Sequence, residues 1–397
     1  MKTTEAGRRL YDFDLPYIFS FLLERPNIVG LDFCYNHLTC FGVRFLADFL
    51  SWDHRILRLN LMNNDIEVMD SYIVDAFGEN KTLKSLRLNG NPFGKKGGEY
   101  VSFLLMFKDL EFLDIGQTDQ TIQSLAWILG ALVHNSSLKV LDLSRILGHP
   151  GYVNDSLHYG LAFSDILRLN RSLVELHISK NNITDTDLEQ ILFGLSFNRT
   201  LELLDLSSNS IGDYGAELMS EALLRGAPLK ALMLSGNHIG NMGARALSFK
   251  LPGSQIKMLD LSYNRVRDSG IIDIVSTVRK PFPLLALFIF GNPFTGEALK
   301  MIDRYLLEGS LENCALDIVL HDYNGIIGHG RNTSVNRYKS RYYCLLERSS
   351  EEGKRKRNEK LAFCEPGCAA YKFHNVFNVK APKTILPSIP RRSFSPA

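Results

Sequence analysis

The sequence has no long hydrophobic run. No apolar stretch approaches the roughly 20 residues that a membrane-spanning helix needs. The first residues, MKTTEAGRRLYDFD, also lack the apolar segment that follows the basic residues of a secretory signal. We therefore expect a cytoplasmic protein without membrane contact, and a nuclear location is the alternative.

Cysteine is also scarce. The chain has 6 cysteines in 397 residues, which is too few for a disulfide framework and is typical of a reducing compartment. Cys364 and Cys368 form one C-x-x-x-C pair. Because no second pair accompanies it, we expect free thiols rather than a zinc site.

Motifs that indicate catalysis are missing as well. The segment GNPFGKKGG resembles a phosphate-binding loop, but Lys95 stands where that pattern requires glycine. We find no spacing typical of a catalytic triad or of a metal site. We therefore expect a protein that is not an enzyme, holds no cofactor or metal, and has no small-molecule substrate.

Charge is divided unevenly along the chain. Residues 331–397 carry 15 Lys/Arg and 5 Asp/Glu, a net charge of +10, whereas the preceding 330 residues carry 30 basic and 38 acidic residues, a net charge of −8. The sequence therefore predicts an acidic body and a basic tail, and the tail is expected to be largely disordered.

The most informative feature present is a repeat. The pattern L-x-x-L-x-L-x-x-N-x-I recurs ten times at intervals of 27 or 28 residues, with one interval of 35. The copies start at Ile28, Ile56, Leu83, Leu110, Leu138, Leu173, Leu201, Leu229, Ile256 and Leu284. Eight copies keep the Asn, at Asn36, Asn64, Asn91, Asn181, Asn209, Asn237, Asn264 and Asn292. The two exceptions, Thr118 and Ile146, are neighbours, and the second precedes extra residues within 145–157.

Each copy is predicted to form one strand and one helix. Apolar positions 4 and 6 alternate as in a short strand, and AELMSEALL (216–224) places apolar residues three and four apart, as in a helix. Stacked units share one core because a single unit cannot bury its apolar face. The Asn is expected to point inward and bond the backbone of neighbouring turns. This pattern predicts an α/β solenoid with parallel strands on its concave face.

The copy LELLDLSSNSIGDYGAELMSEALLRGAP resembles a leucine-rich repeat of the ribonuclease-inhibitor type. The resemblance covers roughly residues 10–320 and implies a horseshoe that binds proteins, since this type includes many binding proteins and few catalysts. The ribonuclease inhibitor is rich in cysteine and this chain is not, so ribonuclease inhibition is not implied. The ending LDIVLHDYNGIIGHG is similar to the intracellular group that includes leucine-rich repeat-containing protein 34.

Four regions are expected along the chain. They are an N-terminal capping helix region (1–27), the repeat solenoid (28–313), C-terminal capping strands (314–330) and the basic tail (331–397). Within the solenoid, one turn is used four times, at Asn80, Asn135, Asn170 and Asn198, each followed by a hydroxyl residue and Leu two and three places on. We expect these asparagines to end their helices in the left-handed conformation.

Positions 3, 5 and 7 of each copy are predicted to face the concave side, where solenoids bind their partners. Position 5 supplies the candidate contacts Asp142, His177, Asp205 and Asp260. One interpretation is an acidic stripe for a basic partner. The other is that L-D-L-S is a frequent form of this repeat and that Asp only keeps the strand hydrated.

The C-terminal end of the concave face has a different composition. Met233, Met258, Phe288 and Phe290 are predicted to face inward, with Tyr263 at an adjacent position. Clustered aromatic and methionine side chains favour a protein-binding patch, and the alternative is a patch that the chain's own tail covers. The small residues at position 7, Ser144, Ser179, Ser207, Ser235 and Ser262, are interpreted as a floor of low bulk.

These patterns together predict a scaffold that binds a protein partner through its concave face. The alternative is a nuclear or nucleic-acid-associated adaptor that acts through the tail, where Lys354, Arg355, Lys356 and Arg357 form a candidate nuclear localisation signal. A further hypothesis is that the tail screens the acidic body until a partner displaces it. Drift in a tolerant loop and contact with the partner are both possible explanations for the extra residues 145–157.

Overall fold

The chain forms one parallel sheet backed by helices. The computed structural model describes residues 9–332, except for 54, 108, 147–155, 226–227, 278–283, 285, 312–314 and 325. Ten three-residue strands follow one another in chain order across the sheet. They are β1 (Gly30–Asp32), β2 (Arg58–Asn60), β3 (Ser85–Arg87), β4 (Phe112–Asp114), β5 (Val140–Asp142), β6 (Glu175–His177), β7 (Leu203–Asp205), β8 (Ala231–Met233), β9 (Met258–Asp260) and β10 (Ala286–Phe288).

Helices alternate with these strands, and an antiparallel hairpin follows the last helix. The helices in the described residues are α1 (Leu15–Leu23), α2 (Cys40–Trp52), α3 (Ser71–Glu79), α4 (Gly94–Phe107), α5 (Ile122–His134), α6 (Ser156–Leu169), α7 (Asp185–Phe197), α8 (Asp213–Ala222), α9 (Asn241–Lys250), α10 (Asp268–Thr277) and α11 (Gly296–Leu307). The hairpin consists of β11 (Ile318–Tyr323) and β12 (Ile326–Arg331).

One continuous core lies between the helices and the sheet. The central leucine of each strand is in register with that of the next, as Leu141 is with Leu176 and Leu176 with Leu204. These leucines belong to a cluster of buried side chains that extends from Leu15 to Ile318. Burying a leucine side chain contributes about 1.5–3 kcal/mol, so each repeat is stabilised by its neighbours. We call the opposite sheet face, with positions 3, 5 and 7, the concave face.

A ladder of asparagines bonds each repeat to the one before it. The Nδ2 of Asn237 donates to the carbonyl oxygens of Leu234 and Leu206, both at 3.0 Å, and its Oδ1 accepts from the N–H of Ile211 at 3.1 Å. The eight asparagines of the pattern are no more than 8% exposed. This confirms the predicted inward orientation, because the amide satisfies backbone groups that would otherwise be buried without partners.

The ladder is interrupted in the two copies that lack Asn. Thr118 donates only within its own repeat, from Oγ1 to the oxygen of Ile115 at 2.8 Å. Ile146 is fully buried in the core and donates no side-chain bond. The N–H of Gln120, which an Asn at 146 would bind, donates to the backbone oxygen of Ile146 at 2.9 Å. Most of the extra residues, 147–155, lie outside the described residues.

The expectation of a left-handed conformation at the helix ends is wrong. Asn80, Asn135 and Asn198 have φ of −63°, −74° and −73°, with extended ψ. The Oδ1 of Asn80 accepts from the N–H of Leu83 at 2.7 Å, and its Nδ2 donates to the oxygen of Leu50 in the preceding repeat at 2.7 Å. An extended backbone directs the amide at both groups, so these asparagines form a second ladder at the helix ends.

A third ladder joins the helix N-termini. Asp213, the first residue of α8, accepts through Oδ1 from the N–H of Gly240 at 2.6 Å and of Gly243 at 2.8 Å at the start of α9. Asp185, Asn241 and Asp268 act in the same way on the following repeat. Each side chain therefore satisfies N–H groups that the next helix cannot pair internally.

Both ends of the described array are closed by hydrogen bonds. At one end, the N–H of Leu10 donates to Oδ1 of Asn36 at 2.8 Å, as a preceding repeat would. At the other end, the buried Asp317 accepts through Oδ1 from the N–H groups of Ile289 at 2.7 Å and Phe290 at 3.1 Å. These bonds satisfy groups that an open sheet edge would leave available for pairing with another chain.

Candidate functional site

Position 5 forms a straight row across the concave face because successive strands are in register. From β4 to β10, the row is Asp114, Asp142, His177, Asp205, Met233, Asp260 and Phe288. The alternation of side chains in a strand places position 3 on the same face. The concave face therefore presents an acidic centre, which we define as Asp114, Asp142, Glu175, His177 and Asp205.

The aspartates of this row have a structural role. The Oδ1 atoms of Asp142, Asp205 and Asp260 accept from the serine N–H two residues on, at 2.8, 2.9 and 3.0 Å. This bond closes the turn after each strand, so it accounts for the Asp of L-D-L-S. The donor is a backbone N–H, and Gly116 supplies the same bond to Asp114. The aspartates do not hydrate the strand, because Asp142 and Asp260 are fully buried and Asp205 is 4% exposed.

His177 lies between carboxylates at the middle of the acidic centre. Its Nδ1 is 3.3 Å from Oδ2 of Asp205, and its Nε2 is 3.6 Å from Oε2 of Glu175. Burial disfavours the charged imidazolium, but the nearby carboxylates of Asp205 and Glu175 and the charge of Asp142 outweigh this effect and raise the pKa of His177 to about 10. The surrounding carboxylates therefore favour the protonated form of His177 at neutral pH.

The acidic centre has more acidic than basic side chains, with four carboxyl groups and one imidazole. Removing such charges from water costs several kcal/mol per ion unless partners compensate for it. The arrangement therefore suits an occupant that brings positive charge to the middle of the concave face.

Serine hydroxyls form the floor beside the acidic centre. The Oγ of Ser179 donates to the Oγ of Ser144 at 2.9 Å, and the Oγ atoms of Ser235 and Ser262 are also 2.9 Å apart. Such short side chains leave room above the sheet for bulkier side chains.

A separate apolar cluster lies next to the acidic centre. It consists of Leu203, Ala231, Met233, Met258, Ala286 and Phe288, on β7–β10, and it is distinct from the main core. Met233 is 7% exposed, Met258 1% and Phe288 2%. Apolar side chains on the concave face are therefore shielded from water.

Burial differs along the concave face. In β1, β2 and β3 the outer two residues of each strand are half-buried, whereas in β4 to β10 all three residues of each strand are buried. Asp32 and Asp142 occupy the same repeat position, but only Asp142 is fully buried. The difference follows the position along the array and not the residue type.

Comparisons with known proteins identify the repeat. The family model described as Leucine Rich repeat matches at residues 79–102, 169–192, 197–220, 227–248 and 256–275. The fold is a leucine-rich repeat solenoid. A solved structure similar to it is the plant peptide hormone receptor RGFR1 in complex with RGF2, with 17% identity and a TM-score of 0.34. The match covers 69% of this chain and 42% of the receptor chain, so this chain spans less than half of that receptor's length. No curated protein sequence matches the chain significantly.

The leucine-rich repeat solenoid brings some of the predicted contact residues together and separates others. Asp142, His177 and Asp205 are adjacent in the acidic centre, and Met233, Met258 and Phe288 share the apolar cluster. Asp260 lies within the apolar end, in register with both Met233 and Phe288.

Phe290 and Tyr263 form a different group at the end of the leucine-rich repeats. Their rings meet edge to face at 5.8 Å, and Phe290 also contacts the ring of His329 in the hairpin at 6.3 Å. Phe290 packs against the main core and Tyr263 is 44% exposed. Phe290 therefore lies outside the apolar cluster that contains Phe288, and Tyr263 is its neighbour, as expected.

Sequence reasoning missed Glu175. This residue occupies position 3, whereas the candidate contacts were sought mainly at position 5. The available signal was the two-residue period of a strand, which places Glu175 on the same face as His177. Its buried carboxylate is one of the two that hold the imidazolium.

The described residues contain no group of three or more His, Cys, Asp or Glu side chains arranged to hold a metal ion. None of the helices in this part of the leucine-rich repeat solenoid combines the length and hydrophobicity that crossing a bilayer requires. Lys354, Arg355, Lys356 and Arg357 lie outside the described residues.

Proposed function

We propose that this chain is a non-enzymatic scaffold that binds a protein partner through the concave face of its leucine-rich repeats. Leucine-rich repeat domains are generally interaction modules. The observation that carries the proposal is the acidic centre, which adjoins the apolar cluster on one face. This combination suits a partner segment that offers basic and apolar side chains together, because charge gives specificity and apolar anchors give affinity.

The proposed contacts are assigned by their place on that face. Asp142, His177, Asp205 and Asp260 would bind basic groups, and Met233, Met258 and Phe288 would contact apolar side chains. Tyr263 and Phe290 would lie at the edge of the interface. We further propose a cytoplasmic or nuclear location and membership of the ribonuclease-inhibitor type, which the full helix in each 27–28-residue repeat supports.

The second candidate function is a nucleic-acid-associated or nuclear role of the basic tail. The four consecutive basic residues at 354–357 favour it. The acidic concave face would repel phosphate, so this function would depend on residues 331–397 alone. Affinity for nucleic acid should then fall steeply with salt concentration, in proportion to the phosphates contacted.

A steric block of the concave face tests the main proposal. Ser207 is half-buried in the floor beside the acidic centre, and Ser207→Arg would place a long cationic side chain there. Tagged full-length wild type and variant are compared by quantitative affinity purification, with Ser136→Arg at an exposed turn as the matched control. We expect Ser207→Arg to reduce recovery of the wild-type partners at least about tenfold, since a positive charge facing a basic partner costs several kcal/mol of binding free energy.

One outcome would contradict this function. If Ser207→Arg is folded as judged by circular dichroism and recovers the same partners as wild type, the concave face is not the binding surface. Loss of the partners with Ser136→Arg would instead assign binding to the edge of the solenoid between the end of α5 and the start of β5.

A further inference from the structure

The burial of the concave face requires an occupant. In the described residues the helices pack on the other side of the sheet, and the β11–β12 hairpin packs against α11 at the end of the array. Nevertheless, the strand residues of β4 to β10 are buried on the concave face, while the equivalent residues of β1 to β3 are half-buried.

We propose that the occupant is the C-terminal segment of the same chain, residues 333–397, which lies across β4–β10 and pairs its basic residues with the acidic centre. The proposal shares the binding surface with the proposed function. It adds that the surface is filled in cis until a partner competes for it.

Charge complementarity favours this segment. Residues 331–397 have a net charge of +10, and the rest of the chain has a net charge of −8. Basic side chains would compensate the carboxylates of the acidic centre. No other region of the sequence has so large an excess of positive charge.

The segment also carries side chains that suit the apolar cluster. Its aromatic residues are Tyr338, Tyr342, Tyr343, Phe363, Tyr371, Phe373, Phe377 and Phe394. Aromatic rings bury a large apolar area, and Met233 and Met258 adapt readily to such partners. Both properties of the concave face, acidic centre and apolar cluster, therefore have a counterpart in one segment.

The segment begins close to the cluster and is long enough to cross the sheet. The N–H of Asn332, where the described chain ends, donates to the oxygen of Asp317, and Asp317 caps the edge next to β10. Crossing from β10 to β4 covers six strand spacings, or about 29 Å, which about nine extended residues span. The 65 residues after Asn332 exceed this length several times.

Proteolytic cleavage between the solenoid and residues 333–397 tests the proposal in the full chain. A specific protease site is inserted after Asn332, the folded protein is cleaved, and the fragments are separated by size at 50 mM and 500 mM salt. We expect residues 333–397 to remain bound to the solenoid at low salt and to bind at least about tenfold more weakly at high salt. Separate elution of the fragment at low salt would overturn the proposal.

Carboxyl labelling provides a second measurement that needs no substitution. A water-soluble carbodiimide should modify Asp142 and Glu175 slowly in the intact chain. Asp32, at the same repeat position in the half-buried β1, serves as an internal reference. After cleavage and removal of the fragment at high salt, labelling of Asp142 and Glu175 at low salt should rise toward the rate of Asp32. Unchanged labelling would show that the segment does not cover them.

A matched pair of variants assigns the contact. In the cleaved protein, Asp142→Asn with Asp205→Asn should weaken fragment retention at least about tenfold, since two charges are lost while the Oδ1 acceptors remain. Asp165→Asn on the exposed side of α6 should have no effect. Equal retention in both variants would contradict pairing with the acidic centre.

The two proposals fail in different ways. If the fragment does not bind but Ser207→Arg still loses the partners, the scaffold function stands and the covering in cis is wrong. If the fragment binds and no partner depends on the concave face, only the covering in cis stands.

Discussion

His177 is a buried histidine whose pKa depends on its neighbours. Its imidazole is 3.3 Å from Asp205 and 3.6 Å from Glu175, and its pKa is raised to about 10 from an ordinary 6.5. A raised pKa in the folded state stabilises the fold fully below pH 6.5. This stabilisation decreases as the pH rises from 6.5 to about 10, where the folded state also loses its proton.

The pH dependence of stability tests this assignment. Wild type should lose unfolding free energy between pH 6.5 and 10, by at most about 5 kcal/mol for such a shift. His177→Gln should be less stable than wild type at pH 6 and should lose much less stability over the same range. Urea unfolding at pH 6, 8 and 10 measures both effects, and His238→Gln, at an exposed site, should behave as wild type. Identical pH profiles of His177→Gln and wild type would contradict a cationic His177.

Neighbouring helices approach closely where one of them has a glycine. A Cβ on Gly194 in α7 would lie 2.1 Å from the backbone oxygen of Ser164 in α6 and 2.6 Å from its Cα. Backbone atoms cannot move away as the end of a side chain can, so the helices would have to separate. By contrast, a Cβ on the exposed Gly130 in α5 would meet nothing within 4 Å.

The two glycines therefore predict opposite effects of the same substitution. Gly194→Ala should lower the unfolding free energy by about 1–3 kcal/mol through overpacking. Gly130→Ala should raise it by about 0.5–1 kcal/mol, because alanine restricts the unfolded chain and favours the helix. Thermal and urea unfolding of both variants measure the changes. A stabilised Gly194→Ala would show that α6 and α7 are not in the described contact.

The asparagine bonds that couple successive repeats are interrupted near the middle of the described array. The asparagine ladder is absent at Thr118 and Ile146, where backbone bonds replace it. In a solenoid, each repeat is stabilised mainly by its neighbours, so a weak junction can separate two cooperative blocks. The repeats before this junction should unfold before those after it.

Tryptophan fluorescence can detect this order. Both tryptophans, Trp52 in α2 and Trp127 in α5, lie in the N-terminal part of the array. The fluorescence transition should occur at lower urea than the far-UV circular dichroism transition, which reports on all helices. Thr118→Asn should bring the urea midpoints of the two transitions closer together, because it restores an asparagine hydrogen bond worth about 1 kcal/mol. Coincident transitions in wild type would exclude a weak junction.

The repeat made much of the fold predictable. An apolar pattern with one spacing and one buried Asn specifies strand, turn and register, because each copy must bury the same groups. The turn at Asn80 was not predictable, since its φ depends on a carbonyl of the preceding helix that the local sequence does not reveal.

The candidate site was predictable only in part. Strand alternation placed Asp142, His177 and Asp205 on one face, as found. Their burial and the raised pKa of His177 were not expected, because they depend on Glu175 and on what covers the sheet. Phe290 packs against the main core and contacts the ring of His329 in the hairpin, a contact distant in sequence that the strand pattern does not reveal.

The register of the sheet fixes the distance between equivalent side chains on its concave face, and a peptide segment that crosses the strands must match this distance. Asp142 and Asp205 are equivalent residues two strands apart, which corresponds to about 9.6 Å in a parallel sheet. A polyproline II segment advances about 9.3 Å in three residues and returns to the same side after each turn. An occupant in this conformation would meet the two aspartates with basic residues three apart, so the sheet selects a spacing of charges as well as their sign.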